Sequence, residues 1–122
     1  MKRTTPENAV KRAVTDLLSA KHIWWVRMNS RTVHLPGAGG KDRPVFFGQP
    51  GMADILATPE IRGSIRVLWI ETKAGKGKQS PDQADFEEWV LYAGHSYLVA
   101  RSSDDVLAWL HGEEASGRHD DF

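Results

Sequence analysis

The segment Ile65–Lys73, with the sequence IRVLWIETK, decides the fold of this chain. It is rich in β-branched and aromatic residues, so it gives the strongest β-strand signal in the sequence. Because side chains alternate between the two faces of a strand, Glu71 and Lys73 share one face. Leu68 and Ile70 lie on the opposite face and predict a buried side. Two ionisable side chains at the end of so apolar a strand require an explanation.

Further strands are predicted from short apolar runs on both sides of this segment. We place them at residues 23–28, 45–47, 54–58 and 95–100. Between the first two runs, residues 29–41 are polar and glycine-rich and predict a long loop, which in a small domain is usually functional or disordered.

Helix signals precede and follow the strands. Thr5 is a suitable N-cap, and the helix that it begins is predicted to end near Ala20. Ser80 begins a second helix, in which Gln83 completes a capping box. A last helix is predicted to end at Leu110. The order α-β-β-β-β-α-β-α predicts an α/β fold in which a small mixed β-sheet is flanked by helices.

Length and composition are typical of one globular domain. The chain has 122 residues, and its 16 basic and 16 acidic residues give a net charge of +0. We predict a single domain over residues 1–112, followed by a polar C-terminal tail over 113–122. Cysteine is absent, which excludes disulfides and zinc-thiolate sites. No apolar run approaches the roughly 20 residues that cross a membrane, so we predict a cytoplasmic protein.

Asp54 begins a predicted strand directly after the turn formed by Gly51, Met52 and Ala53. If Asp54 and Glu71 converge, their carboxylates repel each other unless a cation lies between them. A hard divalent ion suits such oxygen ligands, and it would polarise a phosphate and activate water. The alternative interpretation is an edge strand whose charged face only opposes aggregation.

Three motifs occur in a fixed order along the chain: Gly51-x-x-Asp54, Ile70-Glu71-Thr72-Lys73 and Ser80-Pro81-x-Gln83. This set resembles the VRR-NUC branch of the PD-(D/E)xK nucleases, and the resemblance extends from roughly Thr5 to Leu110. The Glu-x-Lys motif alone occurs by chance in many proteins, whereas the ordered set is more specific. Ala53 replaces the proline of the family pattern. The resemblance implies a restriction-endonuclease-like PD-(D/E)xK core.

The same resemblance implies a role for each site residue. Asp54, Glu71 and the backbone carbonyl of Thr72 would hold Mg²⁺ or Mn²⁺. Lys73 would orient the attacking water.

Two further residues are implied in the site by the resemblance, and each also has a structural interpretation. Gln83 would face the site from the second helix, although the capping box alone accounts for a glutamine there. Glu7 would complete the metal site, although an acidic residue is favoured in any first helical turn.

Basic and polar residues near the loops are candidates for contacts with a nucleic-acid backbone, or they simply solvate those loops. They are Arg27, Asn29, Arg31, Lys41, Lys76 and Lys78.

By resemblance, the expected substrate is DNA, in a branched form such as a four-way junction or a flap. Cutting a symmetric junction twice needs two active sites, which a homodimer would supply. Two alternatives remain: a catalytically inactive nucleic-acid-binding module, and a protein-interaction or inhibitory domain that uses the acidic helix segment Asp82–Glu88.

Overall fold

A computed structural model of the chain describes residues 5–28 and 31–116. Within these ranges three α-helices are present, α1 (Pro6–Ala20), α2 (Pro81–Tyr92) and α3 (Ser103–Ser116). The strands are β1 (Trp25–Arg27), β2 (Arg31–Pro36), β3 (Asp42–Phe47), β4 (Ile55–Ala57), β5 (Glu60–Ile61), β6 (Ser64–Ile65), β7 (Leu68–Thr72) and β8 (Ser96–Ala100).

The main sheet has four strands in the order β1-β4-β7-β8. β1 and β4 are antiparallel, as are β4 and β7, whereas β7 and β8 are parallel because α2 connects them. The prediction of an α/β fold with a mixed sheet is therefore confirmed. β7 occupies an interior position, which agrees with the burial of all its residues except the half-buried Trp69.

Helices cover both faces of this sheet. On one face α1 and α3 pack over a core that contains the fully buried Val14, Leu18, Ile70 and Val106. On the other face α2 packs through Phe86, whose ring contacts that of Trp69 edge-to-face at 5.1 Å between centroids. The two faces of β7 thus bury apolar side chains in two different cores.

The predicted helix caps are confirmed. The Thr5 side chain accepts a hydrogen bond from the Asn8 backbone N–H at 3.1 Å. Ser80 and Gln83 form the reciprocal capping box at the start of α2. These local bonds fix where α1 and α2 begin, so the side chains of the first turns have defined positions.

The predicted loop over residues 29–41 is wrong in its central part. β2 pairs antiparallel with β3 over residues 31–36 and 42–47, and a 3₁₀ turn at Ala38–Gly40 joins the two strands. The backbone N–H and C=O groups of β2 form hydrogen bonds with β3, which lies later in the chain. The polar composition of the segment gave no indication of this pairing. Asn29 and Ser30 lie outside the described residues.

Two other boundaries differ from the sequence prediction. The segment predicted as one strand from Ile65 is divided, because β6 forms a separate hairpin with β5 and β7 begins only at Leu68. At the other end, α3 continues beyond Leu110 to Ser116, and its Glu113 forms an ion pair with Arg66 at 2.8 Å. Residues 113–116 therefore belong to the folded domain, and 117–122 lie outside the described residues.

No helix in residues 5–28 or 31–116 is long and apolar enough to cross a membrane.

We expect Gly51→Ala to destabilise the fold more than a glycine-to-alanine substitution in a turn where the added Cβ meets no other atom. Gly51 has φ +77°, and an added Cβ would overlap the backbone carbonyl of Asp82 at the start of α2. The left-handed backbone alone costs about 1–2 kcal/mol for a non-glycine residue, and the overlap adds to it. The measurement is the free energy of unfolding in urea.

The matched control is Gly63→Ala, because Gly63 has φ +85° but no described atom within 4 Å of the added Cβ. An equal loss of stability in both variants would contradict the close approach of the Gly51 backbone to α2.

Candidate functional site

Two carboxylates face each other across the centre of the main sheet. Ile55 of β4 pairs with Ile70 of β7, and the same register continued by one residue places Asp54 opposite Glu71. Directly opposed residues on antiparallel strands have Cβ atoms about 4.5–5.5 Å apart. The sheet register therefore brings together two acidic side chains that are 17 residues apart in the sequence.

The Asp54 carboxylate is held by different partners at its two oxygens. Its Oδ2 accepts hydrogen bonds from the Thr72 backbone N–H at 2.9 Å and from the Thr72 hydroxyl at 2.8 Å. Its Oδ1 lies 3.5 Å from the Lys11 ammonium on α1. One oxygen is thus fixed by the sheet, and the other is turned towards α1.

Glu71 is a buried carboxyl group, with only 3% of its surface exposed. Its Oε2 accepts a hydrogen bond from Gln83 Nε2 at 3.0 Å and lies 3.8 Å from Lys73 Nζ. Its Oε1 is buried and has no hydrogen-bond partner among the described residues. A buried polar oxygen without a partner is costly, and either a proton shared with the nearby Asp54 carboxylate or a bound cation would satisfy it.

Burial, and after it the negative charge of Asp54, raises the pKa of Glu71 from its usual 4.5 to about 8. Lys73 opposes this rise, but its ion pair with Glu71 is long at 3.8 Å and does not cancel the loss of hydration. Without an added cation, Glu71 therefore holds its proton at neutral pH.

These groups fit a hard divalent cation. Two facing carboxylates, one with an unpartnered oxygen, form a donor set that Mg²⁺ or Mn²⁺ favours. The Thr72 N–H points towards Asp54, and the carbonyl of the same residue faces the same strand edge. Within the described residues no three His, Asp or Glu side chains converge on one point, so such an ion would keep several waters.

Gln83 both completes the capping box of α2 and contacts the candidate site. Its Oε1 accepts a hydrogen bond from the Ser80 N–H at 2.8 Å, as a capping box requires. Its Nε2 simultaneously donates to Glu71. The cap of α2 therefore also fixes the direction of the Glu71 carboxyl group.

Glu7 is near the site without joining it. It is exposed in the first turn of α1, and its charge contributes to the raised pKa of Glu71. No side-chain hydrogen bond or ion pair links Glu7 to another residue of the described chain. The predicted set of Asp54, Glu71, Lys73 and Gln83 is brought together, and Glu7 is linked to it by its charge alone.

The loop after β7 presents lysines beside Lys73. Lys76 and Lys78 are exposed in this loop, and their neighbour Gly77 lies against the aliphatic part of Lys73. Arg101 donates a hydrogen bond to the carbonyl of Gly75 at 2.8 Å, which ties the loop to the end of β8. Positive charge is thus held at the edge of the site.

The other predicted nucleic-acid contacts are more dispersed. Arg27 is exposed at the end of β1, where it pairs with Ile55, the residue next to Asp54. Lys41 is exposed beside the turn of the β2–β3 hairpin. Arg31 begins β2, but its side chain and all of Asn29 lie outside what the structure describes.

Three residues at or beside the site were not predicted from the sequence: Lys11, Gln79 and Tyr97. Lys11 follows Glu7 by one helical turn, and this spacing was the available signal. Gln79 donates hydrogen bonds to Glu87 at 2.9 Å and to the Tyr97 hydroxyl at 3.2 Å. Burial raises the pKa of Tyr97 to about 12, so it stays neutral. This network joins a loop, a helix and a strand, and no local pattern indicates it.

A scan against protein-family models found no matching family, and searches of curated proteins and of solved structures found no match.

We expect the metal-free protein to lose stability as the pH rises through the range in which Glu71 ionises. The folded-state pKa of about 8 lies above the usual 4.5, so the stability from this group is complete below pH 4.5 and is lost as the pH passes 8. The Glu71→Gln variant lacks this titration. In chelator, the free energy of unfolding of this variant should therefore increase relative to that of the wild type as the pH rises, by on the order of 2–4 kcal/mol at high pH. Urea unfolding at several pH values measures the difference.

Glu88→Gln is the control, because Glu88 is an exposed carboxylate of α2. The same pH-dependent gain in Glu88→Gln, or none in Glu71→Gln, would show that burial of Glu71 does not raise its pKa.

Proposed function

We propose that this protein is a Mg²⁺- or Mn²⁺-dependent endonuclease that hydrolyses phosphodiester bonds in DNA, and that its sheet is a restriction-endonuclease-like PD-(D/E)xK core. One observation carries the proposal. Asp54 and Glu71 are opposed across β4 and β7, with a buried Glu71 oxygen that has no described partner and with Lys73 beside it. Buried polar atoms without a partner are few in folded proteins, so this oxygen supports a ligand-binding role over a purely structural salt bridge.

Asp54 Oδ1, Glu71 Oε1 and the Thr72 carbonyl are the atoms that would hold the ion. When bound, the ion would polarise the scissile phosphate and lower the pKa of water. The chain supplies the orientation of these atoms. Thr72 holds Asp54 through two hydrogen bonds, and Gln83 holds Oε2 of Glu71.

Lys73 is the residue that acts on the nucleophile. Only 14% of its side chain is exposed, and its ammonium lies at the mouth of the site beside Glu71. It would orient the attacking water for in-line displacement and stabilise negative charge that develops on the phosphate. Its position on the face it shares with Glu71 follows from the alternation of β7.

The proposed substrate is branched DNA, and the proposed assembly is a homodimer. The exposed Lys76 and Lys78 next to Lys73, together with Arg27 near Asp54, concentrate positive charge around the site in a chain of net charge +0. Such local charge suits contact with a few phosphates rather than with a long duplex. Two copies of the site would make the two cuts that a symmetric junction requires.

The test uses the wild type and Glu71→Gln on end-labelled four-way junction, flap and linear duplex DNA. Each reaction is run with Mg²⁺, with Mn²⁺ and with excess chelator. We expect metal-dependent, paired incisions of the junction by the wild type, and at least about a 100-fold loss of rate in Glu71→Gln, since the ion contributes several kcal/mol to such reactions.

Glu88→Gln serves as the control for loss of one carboxylate and should retain full activity, because Glu88 is exposed on α2. Cutting of flaps or linear DNA alone would support the proposed nuclease activity and contradict the proposed junction substrate. Tight DNA binding without cleavage under either metal would favour the inactive binding module. No affinity for DNA would favour the protein-interaction alternative.

A further inference from the structure

We propose that the Lys11 ammonium competes with a divalent ion for Asp54 Oδ1. In the metal-free protein Lys11 forms an ion pair with this oxygen, and a divalent ion must displace it in order to bind. The inference rests on the proposed metal site and adds a competition that limits the affinity of the free protein for metal.

The geometry comes from the two oxygens of Asp54. Oδ2 already accepts two hydrogen bonds from Thr72, through the backbone N–H and through the hydroxyl. Oδ1 is therefore the oxygen that Asp54 can offer to an ion, and it is the oxygen next to the Lys11 ammonium, at 3.5 Å. Lysine and metal ion compete for one atom.

The charges at the site make this competition substantial. The Lys11 and Asp54 side chains are only 19% and 24% exposed, so water and salt screen their interaction less than at an open surface. A divalent ion at Oδ1 would meet the Lys11 ammonium at short range, and the two cations would repel each other. Lys11 must move away for the ion to bind.

Lys73 is placed differently and is not a competitor in this sense. Its ammonium lies near Oε2 of Glu71, the oxygen that Gln83 also holds, and not near the unpartnered Oε1. The two lysines near the carboxylates therefore have separate roles. Lys73 faces an oxygen that is already occupied, and Lys11 faces the oxygen needed by the ion.

Removal of the Lys11 charge should have opposite effects on two quantities. Metal affinity should increase, because the competing cation is absent. Stability in chelator should decrease, because Asp54 then faces Glu71 with less positive charge nearby, and bound metal should restore it. A lysine with only a structural role would lower stability equally with and without metal.

The experiment is calorimetric titration of the purified full chain with Mn²⁺ in the absence of DNA, combined with urea unfolding in chelator and in Mn²⁺. The variants are Lys11→Met, which keeps the length and helix propensity of the side chain, and Lys11→Gln as a second neutral substitution. The control is Lys21→Met, which removes the same charge from an exposed position at the other end of α1.

We expect Lys11→Met and Lys11→Gln to bind Mn²⁺ about three- to tenfold more tightly than the wild type, as loss of a partly buried ion pair implies. Lys21→Met should match the wild type. Equal or weaker binding by both Lys11 variants, with clear binding by the wild type, would overturn the role of Lys11 and leave the metal site standing. Absence of binding in every variant would overturn the metal site itself, and the inference with it.

Discussion

The juxtaposition of the Asp54 and Glu71 carboxyl groups is the constraint on which the rest of the site depends. The register of β4 on β7 holds the two groups opposite each other, and burial of Glu71 removes the water that would otherwise moderate their interaction. The surroundings compensate atom by atom. Thr72 binds one oxygen of Asp54, Lys11 approaches the other, and Gln83 binds one oxygen of Glu71. One oxygen of Glu71 is left over, and it is the atom that the proposed cation would bind.

The scaffold around these carboxylates explains why distant motifs occur together. Gly51 has a positive φ and lies directly against the backbone at Asp82 and Gln83, so the turn before Asp54 packs on the first turn of α2. Gln83 in that same turn caps the helix and holds Glu71. The Gly-x-x-Asp and Ser-Pro-x-Gln motifs, about 30 residues apart in the chain, are thus two sides of one contact.

The site also illustrates the conflict between stability and chemistry. A carboxyl group with a pKa of about 8 resists ionisation in the folded protein, and the fold is less stable for it wherever the group is charged. Groups with pKa values shifted by burial and by like charge are typical of functional sites. An apolar residue at position 71 would pack more favourably in this interior strand, and the glutamate found there agrees with the ligand role proposed for it.

The sequence by itself determined the features that depend on near neighbours. The alternation in IRVLWIETK placed Glu71 and Lys73 on one face, and the residues at Thr5 and Ser80 defined the beginnings of α1 and α2. These patterns extend over one or two helical turns or a few strand residues, so the interacting groups are close along the chain. The prediction of a mixed sheet followed from the order of these elements along the chain.

Only the tertiary structure decided which segments meet. The pairing of β2 with β3, the ion pair between Arg66 and Glu113 of α3 and the approach of Lys11 to Asp54 each join segments whose contact the sequence patterns did not indicate. The same holds for Glu7, whose position in a first helical turn suited both the helix dipole and a ligand role, and whose charge acts on Glu71 in the folded chain. Strand pairing and side-chain contact are properties of two segments at once, so their outcome depends on the packing of the whole domain.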